Sequence, residues 1–347
     1  MSYRLSKVFS HSDCYYEKGA REWENLKIKN GHDNYDYKLG INEQHYLQEF
    51  FFNNTGIRFN DASKVCNILH IGAGSGNEIN LVIHNIDKLL CKIINYDIVD
   101  ISPSILSSIE DKIKKITNLS KLISSYNLIC HDVTVESWYY KKPDNGHPLI
   151  VVLVANGYLF SHVQLLKNIL RFMEEEDYLL VTTETSDEAK TQTRLMEISE
   201  SYTISEAINV FNVSLQNIDI NLNENDSKYF KFRYQSIDND KVKYKEDFFE
   251  VYFNILEWIK ERKNHDENFD YDINKYQTEI FENWGVKIFQ SFKPSNLSNI
   301  EQYLDSASDL HSYFKLINRN DTQKDFNEPN KYNQVGLVIQ KVSRGKN

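Results

Sequence analysis

The stretch Val65-Cys66-Asn67-Ile68-Leu69-His70-Ile71-Gly72-Ala73-Gly74-Ser75-Gly76 decides the fold. Its first half is a short, mostly apolar run that stops on glycines, which reads as a buried strand. Glycines at that point let the chain turn tightly and let its backbone approach a ligand. A helix starting just after adds the positive end of its dipole. Gly72, Ala73, Gly74 and Gly76 are therefore candidate cofactor-binding positions. The dinucleotide fingerprint would place glycine at 77, where Asn77 stands, so the spacing is GxGxG.

Working outward, Asn80 to Leu90 has a helical period, and Lys92 to Val99 is a second apolar run. Ser102-Pro103-Ser104 opens a helix, with proline in the first turn, where its missing N–H is harmless. Leu128–Asp132, Leu149–Ala155 and Tyr178–Thr183 are further strand candidates, and Ser161–Met173 is a helix between the last two. Residues 64–185 thus alternate strand and helix, the signature of an α/β, doubly wound, mostly parallel sheet. Gly285–Phe289 and Val335–Ile339 resume strand character and would complete seven strands.

The chain then divides as follows. Residues 1–60 form an N-terminal helical lid, with a helical pattern around Glu43 to Phe52. Residues 61–185 form the core. Residues 186–280 form an inserted α+β substrate-binding subdomain. Within it a helix is expected near Thr191–Glu200, with alternating stretches near Phe211–Asp219 and Tyr229–Ile237 and an amphipathic helix from Phe248 to Lys263. Residues 281–347 supply the last two core strands, joined by a long connection over 293–333.

Composition narrows the class. The 347 residues carry a formal charge of −10, with 41% hydrophobic and 13% aromatic side chains. Only 12 Gly and 5 Pro are present, which argues against linkers and broad disorder. The acidic balance argues against a nucleic-acid partner, which wants a basic stripe. No apolar run approaches the ~18 residues that cross a bilayer, and Met1 to Lys7 lacks the apolar core of a signal peptide. Cys14, Cys66, Cys91 and Cys130 are scattered with no CxxC. A reduced, cytoplasmic protein without a metal site is the simplest expectation.

Acidic residues collect at strand ends. Asp100 follows the second strand, 24 residues past Gly76, where an acid can take both ribose hydroxyls of a nucleoside. Asp97 competes for that task, and Asp100 or Ser102 has the alternative of capping the next helix. Asp132, with Val133 and Thr134, ends the third strand and could accept from an adenine amino group. Asn156 follows the fourth strand and Glu184 ends the fifth. His131 and His162 fall near the same edge, whereas His70 lies inside the first strand as a core residue.

With GxGxG and these two acids, the chain resembles the class I S-adenosylmethionine (SAM) methyltransferases. More narrowly, it is similar to the histidine Nα-methyltransferases of ergothioneine biosynthesis. Asp100-Ile101-Ser102 matches that family's end of the second strand, and Asp132-Val133-Thr134 and Asn156 follow it loosely. So do Tyr16-Glu17-Lys18-Gly19, Asn34-Tyr35-Asp36-Tyr37, and Tyr202 ahead of Phe211-Asn212-Val213-Ser214-Leu215. The family's late Glu-x-Ser pair has no counterpart in Asp270–Tyr276. The resemblance implies a Rossmann-like methyltransferase sheet with SAM as cofactor, bound by Gly72, Ala73, Gly74, Gly76, Asp100, Ile101, Asp132, Val133 and Asn156. It implies a small amino-acid-like or peptide amine as substrate, held by Tyr16, Tyr35, Tyr37, Asn156 and Tyr202. Tyr202 and Glu184 are the candidates for moving the amine proton. Rival readings are an aminopropyl or aminocarboxypropyl transferase, a SAM-binding protein without turnover, and a nicotinamide-dependent enzyme.

Overall fold

The structure, a computed structural model, describes residues 18–19, 21–22, 65–74, 79, 82, 92–116, 119–153, 157–160, 162–184, 205–239, 244–276, 280–281, 283–292, 297–321 and 334–344. Their strands are β1 (Val65–Ile71), β2 (Lys92–Asp100), β3 (Ile123–Cys130), β4 (Leu149–Leu153), β5 (Tyr178–Glu184), β6 (Phe230–Asn239), β7 (Tyr244–Phe253), β8 (Ile280–Phe281), β9 (Gly285–Phe292), β10 (Ser312–Asp321) and β11 (Gln334–Ser343). Two compact units result, one within 32–187, 238–245 and 293–347, the other within 1–31, 188–237 and 246–292.

The first unit is a seven-stranded sheet in the order β10-β11-β5-β4-β1-β2-β3. Strands β3, β2, β1, β4 and β5 pair in parallel. Strand β11 runs antiparallel to both β5 and β10. This is the mostly parallel, doubly wound seven-stranded sheet expected from the alternation. Strand order reverses between β1 and β4, so the crevice of an open α/β sheet opens at their carboxyl ends. Every residue of β4 is buried, as are Cys66 to Ile71 of β1, which is why β4 reads as an unbroken apolar run and β1 as one interrupted only by Asn67 and His70.

One face of the sheet carries the main core. Cys66, Ile68, Tyr96, Ile98, Ile150, Val152 and Leu180 pack with Leu106, Ile109 and Ile113. Those three lie on the helix Pro103–Ile113 at spacings of three and four, its buried stripe. Ser102 caps that helix, its side chain accepting from the Ile105 N–H, and proline opens the first turn as anticipated. Ile79 and Val82 are helical and join the same core.

The opposite face is buried as well, through Leu69, Val99, Val151 and Val181, and it also carries polar side chains. Asn67, Asn95 and Asn145 form an amide ladder, with Asn95 Nδ2 donating to Asn67 Oδ1 at 3.0 Å. Between β3 and β4 the crossover, residues 131–148, contains no helix. It covers the sheet instead with Trp138 and Tyr140, which meet Phe172 edge-on at 5.7 and 5.4 Å between ring centroids. The helix Val163–Phe172 follows, two residues shorter at its start than the sequence pattern suggests.

The second unit is α+β, with a sheet in the order β6-β7-β9-β8. Its core joins Phe211, Leu215 and Ile218 to Val251, Phe253, Trp258, Val286 and Ile288. Lys18, in the N-terminal segment, donates to Gln216 Oε1 at 3.1 Å.

Three sequence expectations are corrected here. Gly285–Phe289 is a strand, but it belongs to β9 of the second sheet. It pairs antiparallel with β7, Phe253 opposite Val286 and Phe248 opposite Phe292. A Cβ at Gly285 would lie 2.0 Å from the Phe253 carbonyl oxygen, so only glycine, at φ 98°, permits that approach. The sixth and seventh core strands are β10 and β11, and the connection over 293–333 holds the helix Leu297–Asp305 and β10. The stretch Phe211–Asp219 lies mostly in the helix Ser205–Gln216, because its buried residues Phe211, Ser214, Leu215 and Ile218 follow a helical period. The expected helix Phe248–Lys263 splits in two. Phe248 to Phe253 is strand, and Asn254 caps a new helix, Ile255–His265, by accepting from the Glu257 N–H. Tyr229–Ile237 coincides with β6, as expected. The patterns at Glu43–Phe52 and Thr191–Glu200 lie outside the described residues.

Candidate functional site at the carboxyl edge of the parallel sheet

Parallel register brings the ends of β1, β2 and β3 side by side. Ile71 lies opposite Val99, and Asp100 opposite Cys130. Past its end β1 stays tied to β2, since the Gly72 N–H donates to the Val99 carbonyl at 2.8 Å. The His131 N–H likewise donates to the Asp100 carbonyl at 3.0 Å. Gly72 and Gly74 have φ of 66° and 52°, a left-handed turn that side chains disfavour. Ala73 between them is buried and anchors the turn in the core. Gly76 lies outside the described residues.

Asp97 and Asp100 differ in their partners. Asp97 is interior to β2 and buried, accepting from Asn127 Nδ2 at 2.7 Å and from the Tyr140 hydroxyl at 2.6 Å. Burial pushes the Tyr140 phenol above its ordinary range, and the hydrogen bond to Asp97 adds to the shift. Asp100 sits at the strand's end, where its Oδ1 accepts from the Ser102 N–H at 2.9 Å. The carboxylate is thereby steered by the turn that starts the helix Pro103–Ile113, while Ser102 does the capping itself. Ile101, half-buried, lies between them.

At the end of β3, Asp132 makes a comparable turn. Its Oδ1 accepts from the Thr134 N–H at 2.9 Å and from Thr134 Oγ1 at 2.7 Å. Among the described residues its Oδ2 has no hydrogen-bond partner, which leaves one carboxylate oxygen for a ligand donor. Val133 is buried behind it. Burial holds the His162 imidazole below its ordinary pKa, and the nearby Asp132 carboxylate pulls it partway back. His131 is exposed, its Nδ1 2.9 Å from the Asp132 carbonyl.

A nucleoside-bearing cofactor fits this arrangement in three respects. The glycine turn exposes backbone at φ values where a side chain would be strained. Asp100 ends the neighbouring strand, and Asp132 keeps an oxygen with no described partner one strand further out. Glu184 ends β5, opposite Gln334 of β11. Asn156, Tyr16, Tyr35, Tyr37 and Tyr202, the expected substrate side of the site, lie outside the described residues.

Sequence reasoning missed Asn168 and Arg171, which hold the loop after β3 from the helix Val163–Phe172. Asn168 Nδ2 donates to the Val133 and Val135 carbonyls at 3.1 and 2.8 Å, and Arg171 donates to the Glu136 carbonyl at 2.8 Å. The available signal was an asparagine on the apolar side of a helix, among Leu165, Ile169 and Phe172. His70 proves half-satisfied. Its Nδ1 is 3.0 Å from the Tyr96 hydroxyl, and its buried Nε2 has no hydrogen-bond partner among the described residues. Among the described residues, no helix is long and apolar enough to cross a membrane.

No protein-family model matches the chain, and no curated protein does. Solved structures similar to it include an S-adenosylmethionine-dependent methyltransferase from Clostridium acetobutylicum ATCC 824, at 12% identity and TM-score 0.41, covering 92% of this chain and 98% of that one. The glycopeptide N-methyltransferase MtfA in complex with SAM aligns at 10% identity and TM-score 0.39, covering 87% of each chain. A putative S-adenosylmethionine-dependent methyltransferase from Listeria monocytogenes aligns at 11% identity and TM-score 0.38, covering 87% of this chain and 99% of that one.

Proposed function

We propose that this protein is a SAM-dependent methyltransferase that N-methylates a small amino-acid-like or peptide amine. The observation that carries this reading is the meeting of the left-handed Gly72–Gly74 turn with Asp100 and Asp132 at the ends of three adjacent parallel strands. Asp100 takes the ribose hydroxyls, Asp132 the adenine amino group, and the glycine turn the amino-acid end of the cofactor. Gly76, Ile101 and Val133 complete that contact, with Asn156 shared between cofactor and substrate.

When bound, the cofactor supplies an electrophilic methyl group on a sulfonium. The protein's own work is orientation. It must hold a neutral amine in line with the methyl–sulfur bond, which is where most of the rate of such a displacement arises. Glu184 and Tyr202 are proposed to receive the amine proton. Tyr16, Tyr35 and Tyr37 are proposed to wall the substrate, and a cytoplasmic setting accords with the cysteine usage.

The test is calorimetric titration of the full chain with SAM, S-adenosylhomocysteine and NAD, repeated with Asp100→Ala after its melting curve shows it folded. Binding of the first two ligands, lost in the variant, is expected. Preference for NAD, or no binding by folded protein, would sink the reading. Incubation with SAM and candidate amines, histidine first, then reads product mass. A gain of one methyl per turnover is expected. A mass gain matching the four-carbon aminocarboxypropyl group of SAM, or an aminopropyl group when decarboxylated SAM is supplied, would replace methyl transfer with a rival group transfer.

A further inference from the structure

We infer that Asn168 is a positioning residue for the nucleobase end of the site, fixing from a distance the loop through which Asp132 reads the base. The inference rests on the methyltransferase reading above, and deepens it by assigning base selectivity to a residue outside the crevice.

The crossover 131–148 has no helix to brace it. An unbraced loop of that length holds a carboxylate poorly, and a weakly held carboxylate discriminates weakly between ligands. Here the brace comes from the helix Val163–Phe172. Asn168 is fully buried, and its Nδ2 spans the carbonyls of Val133 and Val135. Those two residues flank Thr134, whose N–H and hydroxyl both bind Asp132 Oδ1. The amide therefore grips the loop on either side of the residue that orients the carboxylate. Oδ2 of Asp132, with no described partner, is left to face a ligand donor.

The amide's own orientation is determined by its neighbours. Asn168 Oδ1 accepts from Gln164 Nε2 at 3.0 Å and also from Arg171 Nη2. Both donors lie on the same helix at spacings of four and three, which puts them on one face with Asn168. All four hydrogen-bonding positions of the amide are filled, so it cannot turn over without losing every bond. Arg171 extends the brace, donating to the Glu136 carbonyl. An asparagine disfavours a helix interior and is costly to bury; leucine would suit this apolar stripe better if packing were the only requirement.

The chemistry that follows is discrimination between 6-amino and 6-oxo purines. A carboxylate oxygen accepts from an exocyclic amine and repels a carbonyl at the same place. A site built to bond a particular group rejects its analogue strongly only while its own groups are held still.

The experiment titrates S-adenosylhomocysteine and S-inosylhomocysteine into the full chain, the Asn168→Ala, Asn168→Asp and Arg171→Ala variants, and Asp132→Ala. Melting temperature is recorded for each. The wild type is expected to prefer the adenine ligand by at least ~10-fold. Asn168→Ala, and Asn168→Asp, which keeps the size but loses both donors, are expected to bring that ratio close to that of Asp132→Ala. A purely structural asparagine would lower stability, or weaken both ligands alike, and leave the ratio at its wild-type value. That outcome overturns the inference while the cofactor assignment stands. Should the Asn168 variants fail to fold, Arg171→Ala, at an exposed position, decides by the same ratio. Wild-type protein that binds neither ligand overturns the methyltransferase reading and this inference together.

Discussion

Acid should weaken the core through one histidine. His70 lies in β1 with no solvent exposure, stacked on Tyr96 at 6.2 Å between ring centroids. Its Nδ1 meets the Tyr96 hydroxyl, and Nε2 has no described partner to stabilise a second proton. Burial therefore lowers its pKa from 6.5 to about 3. The folded value lies below the unfolded one, so the unfolded chain takes up the proton first as pH falls. The contribution to stability is complete above pH 6.5, drains away between 6.5 and about 3, and is constant below that. Each pH unit in that window is worth about 1.4 kcal/mol, so lowering the pH from 8 to 5 costs about 2 kcal/mol through this residue alone. Urea unfolding at both pH values would be followed by hydrogen exchange of β1 and β4 peptides, which separates the core unit from the second unit. His70→Gln keeps a polar partner for Tyr96 and removes the titration. Every other titrating group cancels in the difference between wild type and variant. Wild type should lose about 2 kcal/mol more than the variant. Equal losses would refute the reasoning, and would mean that His70 is reached by water.

Two further outcomes follow from the second unit. Gly285→Ala places a Cβ 2.0 Å from the Phe253 carbonyl oxygen, backbone against backbone at φ 98°, so β7 and β9 must part. A loss above ~2 kcal/mol is expected in the unfolding transition of that unit, with the first unit's transition unchanged. In the same sheet, Lys287 Nζ lies 2.7 Å from Glu250 Oε1, and Glu250 Oε2 accepts from the Tyr252 hydroxyl at 2.6 Å, all three side chains buried. Lys287→Met should cost about 3–5 kcal/mol by stranding the carboxylate, whereas adding Glu250→Leu should recover most of that. A double variant as weak as the single one would show that the trio contributes more than a balanced ion pair.

What the sequence revealed was the local chemistry of the parallel core. Cys66–Ile71 and Leu149–Leu153 are buried on both faces, and burial on both sides leaves an apolar run, broken in the first only by Asn67 and His70, that needs no partner to be recognised. The glycine turn and the Ser102-Pro103 helix start were equally legible, because backbone conformation and capping depend on a few adjacent residues. The acids at the ends of β2 and β3 were visible for the same reason.

Partnership across the chain was not visible. Gly285–Phe289 is as apolar as a core strand, and only its pairing with Phe248–Phe253 assigns it to the other sheet. Phe211–Asp219 alternates in part and has a helical period in part, and burial against Val251 and Ile288 selected the helix. Asp97 and Asp100 look alike as letters. The first was claimed by Asn127 and Tyr140, the latter 43 residues away, and the second by the turn at the strand's end. Asn168 reads as a polar interruption until the structure sets it against the carbonyls of Val133 and Val135, 35 and 33 residues earlier. Amino-acid order determines what each segment can form, because dihedral preference and capping are short-ranged. Packing alone decides which donor meets which acceptor, because a buried polar group must find its partner wherever the fold has placed one.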